Sequence, residues 1–204
     1  MELTERDKLV LKEVGRWYFM LGRHIKDFCG FPTSNIADRR IRLLIEQKYL
    51  KREKILYGVP YLYFLTHKSK KLMGYNTRSG MVKVDKIKHD IVVLDTVNYF
   101  INNLKINIAD IITERQLLMR DGFGSKKHHP DYIFNVNGEN YAIEIELTPK
   151  AKKRLENNVM ENFQNYDHQL WIVERNSKVE RMLKELDYYN ITILYLDLVI
   201  PKKT

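Results

Sequence analysis

The sequence predicts a mixed fold of the α+β or α/β class, built in two parts. Three observations lead to it. Helical periodicity followed by a short hairpin pattern fills residues 1–80, whereas helix and strand patterns alternate over 81–204. Between them the polar stretch "GYNTRSGM", Gly74 to Met81, carries two glycines and reads as a linker. Charge divides at the same place. Met1–Val84 holds 18 Lys/Arg against 8 Asp/Glu, and Asp85–Thr204 holds 17 against 18, so the net charge of +9 is an N-terminal property. Such an excess points to a polyanion partner, nucleic acid first.

In the first part, Thr4 is an N-cap for a helix from Glu5, with Leu9, Val10, Val14 and Trp17 as its apolar stripe. A short helix is expected from Gly22 to Phe28. Pro32-Thr33-Ser34 starts a third helix, in which Ala37, Ile41, Leu44 and Ile45 share one face and Asn35, Arg39 and Arg42 lie on the other. Two tyrosine-rich strands then flank Gly58-Val59-Pro60, and a basic helix follows. This order looks like a winged helix-turn-helix, in which the third helix enters the major groove and the hairpin wing touches the backbone. On that likeness Asn35, Arg39, Arg40 and Arg42 are candidate DNA contacts on the helix, and Lys51, Arg52 and Lys54 on the wing. The plainer alternative makes the arginines the solvated face of a small helical domain.

The second part opens with a long amphipathic helix over Asp85–Leu104 and a strand near Ile108–Glu114. A hairpin follows, then a helix from Lys150 to about Tyr166 with Thr148 as cap and Pro149 at its first position. "HQLWIVER" reads as a buried strand, "SKVERMLKEL" as a helix and "ITILYLDLV" as a last strand. The expected order is α-β-β-β-α-β-α-β.

The hairpin carries the chemistry. Asn137-Gly138 is a strong two-residue turn signal, because both residues accept positive φ. Its flanks, Asp131–Val136 and Glu139–Leu147, are aromatic and β-branched. With Val136 opposite Glu139, Asp131 falls opposite Glu144. Period-two alternation puts Glu146 on the same face, while Tyr141, Ile143, Ile145 and Leu147 point the other way. Opposed like charges are destabilising, so three converging carboxylates imply either a solvated face or a cation. Hard divalent ions such as Mg²⁺ take carboxylate oxygens. Lys126 and Lys127, before the hairpin, and the run Lys150–Arg154 ("KAKKR"), after it, are phosphate candidates.

Cys29 is the single cysteine, which excludes an internal disulfide and fits a reducing compartment. It reads as a core residue. No run approaches the ~18 apolar residues of a membrane span, and "MELTERDKLV" lacks the pattern of a signal peptide. A cytoplasmic protein without a membrane span is the expectation.

Helix, three strands with acids on the second and third, then helix and strand, resembles the PD-(D/E)xK nuclease core. Pro130-Asp131 matches the PD element, and Glu144-Ile145-Glu146 matches (D/E)-x-K with Glu in place of Lys. A winged helix followed by Asp and then Glu-x-Glu is similar to the MobC-type relaxases of mobilizable plasmids and the replication-relaxation family. That resemblance implies a restriction-endonuclease-like second domain over 81–204. It implies metal-dependent nicking of one DNA strand at an origin of transfer or replication, with water and not tyrosine as nucleophile.

Within the resemblance, Mg²⁺ or Mn²⁺ would be held by Asp131, Glu144 and the Ile145 carbonyl, and Glu146 would either ligate a second metal or orient the attacking water. Lys150 is the candidate for the missing positive charge, and the general base is unassigned. Partners would be double-stranded origin DNA, single-stranded DNA and other relaxosome proteins. His128-His129 read either as loop or phosphate contacts or as catalytic groups. Two other functions fit the same features. One is a non-catalytic origin-binding accessory or replication-control protein with a degenerate nuclease domain. The other is a winged-helix transcription regulator.

Overall fold

Thr4 starts the first helix, α1 (Glu5–Arg16), through a reciprocal capping box: the Asp7 N–H donates to the Thr4 hydroxyl at 3.2 Å, and the Thr4 N–H donates to the Asp7 carboxylate at 2.8 Å. The computed structural model describes residues 2–75, 84–122, 127–149 and 151–200. The chain is a mixed α+β protein that divides into two compact units, Met1–Leu94 and Asp95–Thr204. The boundary expected at residue 80 lies outside the described residues. Among the described residues no helix is long and apolar enough to cross a membrane.

In the first unit α1 is followed by a two-residue strand β1 (Met20–Leu21), α2 (Gly22–Phe28) and α3 (Ser34–Glu46). Thr33 caps α3 through its hydroxyl. Strands β2 (Leu50–Glu53) and β3 (Leu62–Leu65) form the hairpin, and α4 (His67–Leu72) follows. The sheet order is β1-β3-β2, antiparallel throughout, with Met20 opposite Tyr63 and Lys51 opposite Phe64. β1 was not legible in the sequence, because two residues carry no periodicity. Val10, Leu11, Val14, Ile25, Ala37, Ile41, Leu44, Leu50 and Leu62 make the core, and Cys29 is buried with them. Burial pushes the Cys29 thiol up, which keeps it neutral. Tyr75 lies so close on α1 that a Cβ at Gly15 would stand 2.2 Å from its ring, and its hydroxyl donates to the Lys12 carbonyl at 3.0 Å.

Helix α5 (Val84–Leu104) carries the chain into the second unit, which it enters at Asp95. The expected strand over Ile108–Glu114 is corrected. A 3₁₀ turn at Ile108–Asp110 leads to a short strand, β4 (Ile112–Thr113), and a helix, α6 (Glu114–Asp121), replaces its end. The cause is a second capping box in "TERQ": the Thr113 hydroxyl takes the Gln116 N–H and the Gln116 side chain takes the Thr113 N–H.

Strands β5 (Tyr132–Val136) and β6 (Glu139–Glu146) form the hairpin in the expected register, Val136 opposite Glu139 and Tyr132 opposite Ile143. Asn137 and Gly138 take positive φ, 54° and 90°, as a type I′ turn needs. Helix α7 (Lys152–Asn165), strand β7 (His168–Val173), helix α8 (Lys178–Leu186) and strand β8 (Ile191–Tyr195) complete the unit, with a final turn of helix, α9 (Leu196–Val199). Helix α7 begins two residues later than expected: its N-cap is Ala151, which makes no side-chain cap, and Thr148 and Pro149 stay in the preceding loop. The last strand stops at Tyr195, where Asp197 enters the first turn of α9 and pairs with Arg175 at 2.9 Å.

The sheet order is β4-β5-β6-β7-β8. The pairs from β4 to β6 are antiparallel; β6-β7 and β7-β8 are parallel, each joined by a helix as parallel pairs require. Helices cover both faces. On one, Phe100 of α5 packs against Phe134 at 5.4 Å, and the Thr96 and Tyr132 hydroxyls are hydrogen-bonded at 2.9 Å. On the other, Leu155 and Val159 of α7 and Val179, Met182 and Leu183 of α8 pack with Trp171 and Val173.

Candidate functional site

Register decides where the acids go. Glu144 lies beside Trp171 and Glu146 beside Val173 in the parallel β6-β7 pair, and neighbours in register share a face. Both carboxylates therefore face the α7 side, where Trp171 and Val173 meet that helix. The solvated face allowed by the sequence is corrected: Glu144 is 3% and Glu146 6% exposed. Asp131 comes to the same end of the hairpin. It precedes β5, is half-buried, and its Oδ2 accepts from the Ile145 N–H at 2.8 Å.

A buried carboxylate must be satisfied, and residues outside the hairpin do this for Glu144. The Nε2–H of His128 donates to Glu144 Oε1, the only direction open to an ionised carboxylate. Asn162 of α7 donates its amide to the same oxygen at 2.9 Å, so Glu144 Oε2 takes part in neither bond. His128 is in turn held by Glu161, whose carboxylate accepts the His128 N–H at 2.7 Å. His129, buried, approaches Asp121 at 3.5 Å. Of these, the sequence leaves His128 open between a loop or phosphate contact and a catalytic role. Asn162 and Glu161 were missed. Their only signal is i, i+1 adjacency on α7, which means nothing until the helix is docked on the sheet.

The negative field of the patch is felt by its tyrosines. Burial pushes the Tyr132 hydroxyl well above its ordinary value; the Thr96 hydrogen bond opposes this and the Asp131 charge adds to it. Burial, then the charges of Asp121 and Glu144, raise the Tyr166 hydroxyl.

Among the described residues no three His, Cys, Asp or Glu side chains stand as a ready ligand group. The donor chemistry nevertheless suits a hard cation: Asp131, Glu144 and Glu146 are oxygen donors at one end of the β5-β6 hairpin, and one oxygen of Glu144 lies outside its hydrogen bonds. Lys150 and Lys126 lie outside the described residues. Lys127 is exposed and stands 3.7 Å from Asp121.

In the first unit Asn35, Arg39 and Arg42 are exposed along α3, and Lys51, Arg52 and Lys54 are exposed on and just beyond β2. Arg52 lies over the Tyr61 ring, 4.7 Å from its centroid. Arg40 has another commitment. Its guanidinium pairs with the fully buried Asp7 of α1 and is itself 25% exposed. Burial alone would raise the Asp7 carboxyl, but Arg40 and Thr4 outweigh it and hold the group below the usual carboxylate range. Comparison of the chain with protein-family models, with curated proteins and with solved structures returned no match.

Proposed function

We propose that this chain is a metal-dependent DNA endonuclease of the nicking, relaxase type, acting in the cytoplasm at an origin of transfer or replication. One observation carries the reading: Asp131, just before β5, and the buried Glu144 and Glu146 of β6 lie at one end of the hairpin, with Glu144 hydrogen-bonded by His128 and Asn162 and Asp131 by the Ile145 N–H. The strand arrangement, an antiparallel meander running into a parallel β6-β7 pair with helices on both faces, supports assignment to the PD-(D/E)xK class. Three helices followed by an antiparallel hairpin in the first unit support a winged helix-turn-helix.

Asp131, Glu144 and Glu146, with the Ile145 carbonyl, would hold Mg²⁺ or Mn²⁺. Such an ion, when bound, acidifies water and offsets charge on the phosphate. The chain's own groups supply the rest. Asn162 keeps the Glu144 carboxylate oriented. His128 Nε2, hydrogen-bonded to the same Glu144 oxygen, fixes that carboxylate from the loop side. Asn35, Arg39 and Arg42 on α3 meet base edges or phosphates, and Lys51, Arg52 and Lys54 on the hairpin meet backbone. Duplex origin DNA is the first partner, with the separated strand and relaxosome proteins as further ones.

A second reading has its own observation. Glu146 stands where the resembled core carries lysine, and Glu144 already has its two hydrogen bonds without a metal. These features favour an origin-binding accessory protein with a degenerate nuclease unit. Conversion of supercoiled plasmid carrying the native locus to open circle, with and without Mg²⁺ or Mn²⁺, decides between the two. Metal-dependent nicking that Glu144→Gln abolishes supports the enzyme. Site-specific binding without nicking supports the accessory protein.

A further inference from the structure

A cleft of about 560 Å³ opens between the His128-His129 segment and the first turns of α7. None of the three hairpin acids lines it. Its cations are Lys127, Lys153 and Arg154, all exposed. Helix α7, 14 residues long, follows the N-cap Ala151, which offers no side-chain oxygen to its first turn; the Arg154 N–H turns to the Ala151 carbonyl at 2.9 Å. An uncapped N-terminus favours an anion.

A second, independent feature points into the same space. Asn158, one turn further along α7, lines the cleft and is only 6% exposed, yet its amide nitrogen has no hydrogen-bond partner. A buried donor left unpaired costs about 1–3 kcal/mol, and an incoming acceptor oxygen would remove that penalty. Two acids also line the cleft: Glu161, which accepts the His128 N–H, and Glu114 in the first turn of α6.

We propose that the cleft is a phosphate-binding subsite, with Asn158 as the buried donor, Lys153 and Arg154 as the charges and the start of α7 as the dipole. Resting on the nucleic-acid reading above, it takes a backbone phosphate next to the one that Asp131, Glu144 and Glu146 address. The group recognised is a tetrahedral phosphate oxyanion. A nucleic-acid strand and free phosphate share it, and the experiment separates them.

The full chain, ¹⁵N-labelled, is titrated with a short oligothymidylate and separately with inorganic pyrophosphate. Binding of duplex DNA is followed by anisotropy. With the oligonucleotide, the Asn158 side-chain amide and the backbone amides of Lys152–Arg154 should shift. Arg154→Ala and Asn158→Asp should each weaken oligonucleotide binding roughly ten-fold or more, and Arg154→Ala should lower the salt slope by about one. Arg154 is exposed, so its variant tests the site even if Asn158→Asp fails to fold. Oligonucleotide or duplex binding with no shift at these amides, and none caused by pyrophosphate, overturns the subsite and leaves the DNA reading standing. Shifts caused by pyrophosphate alone, without DNA binding by any part of the chain, keep the phosphate site and overturn the DNA reading. No response to any of the three probes overturns both.

Discussion

The Asp131 carboxylate accepts the Ile145 N–H at 2.8 Å, so an acid from the start of one strand holds the backbone between the two glutamates of its neighbour. The bond gives the Asp131 carboxylate a backbone donor beside Glu144 and Glu146. It also sets an expectation. Asparagine keeps an acceptor oxygen, so Asp131→Asn should retain the bond and change unfolding free energy by no more than about 1 kcal/mol. Asp131→Ala removes that acceptor and should destabilise by about 1–3 kcal/mol. Both should abolish nicking, because both remove the charge. Chemical denaturation and the plasmid assay, run on the pair, separate the structural from the chemical role; full nicking activity in Asp131→Asn would sink the metal-site assignment.

What the sequence disclosed follows the range of the signal. The hairpin register and its turn were legible because Asn137-Gly138 fixes both locally. Helices α1 and α3 were legible because Thr4 and Thr33 cap apolar stripes. Helix α6 was equally local, written in the Thr113–Gln116 spacing, but Ile111 and Ile112 before it read as strand and masked the cap. The partners of Glu144 were not legible at all. His128 stands 16 residues and Asn162 18 residues away, and only the docking of α7 on β6 brings them to one oxygen. Opposed acids therefore implied repulsion, where the folded chain supplies donors.

The Asp7–Arg40 pair should govern the stability of the first unit. Removing one partner of a buried pair costs about 3–5 kcal/mol; with Arg40 a quarter exposed, about 2 kcal/mol is expected for Arg40→Ala. Asp7 has its folded value lowered from the ordinary 3.8, so its contribution is complete above that value and is lost as pH falls through the lower folded one. The gap between wild type and Arg40→Ala should accordingly shrink as the solution is acidified below about pH 4. Urea unfolding at several pH values measures it. A gap that widens on acidification contradicts the assignment.

Arg39 and Arg42 should behave in the opposite way. Both are exposed on α3, so alanine at either position should leave unfolding within about 0.5 kcal/mol of wild type. If one makes a bidentate contact to guanine, its loss should weaken cognate binding by about 1–3 kcal/mol and relax preference at that base. Anisotropy on cognate and scrambled duplexes distinguishes this from a solvated face, which predicts no change in either.

Glu144→Gln tests the metal directly. Both donors to Glu144, His128 Nε2–H and the Asn162 amide, fall on Oε1. Glutamine retains that oxygen and can retain both bonds, but as a neutral acceptor it holds them less strongly. The metal-free variant should therefore be less stable than wild type by about 1 kcal/mol. In wild type, a divalent ion that binds only the folded chain should add about 2.7 kcal/mol at a hundred-fold excess over its Kd, read as a rise in Tm with Mg²⁺ or Mn²⁺. Glu144→Gln should lose that rise and the nicking activity together, while DNA affinity stays at the wild-type value. Glu146→Gln should impair nicking with a smaller effect on the thermal shift. If wild type shows no metal-dependent rise in Tm and both variants nick as it does, the acids serve only to anchor His128 and Asn162, and the site is not a metal centre.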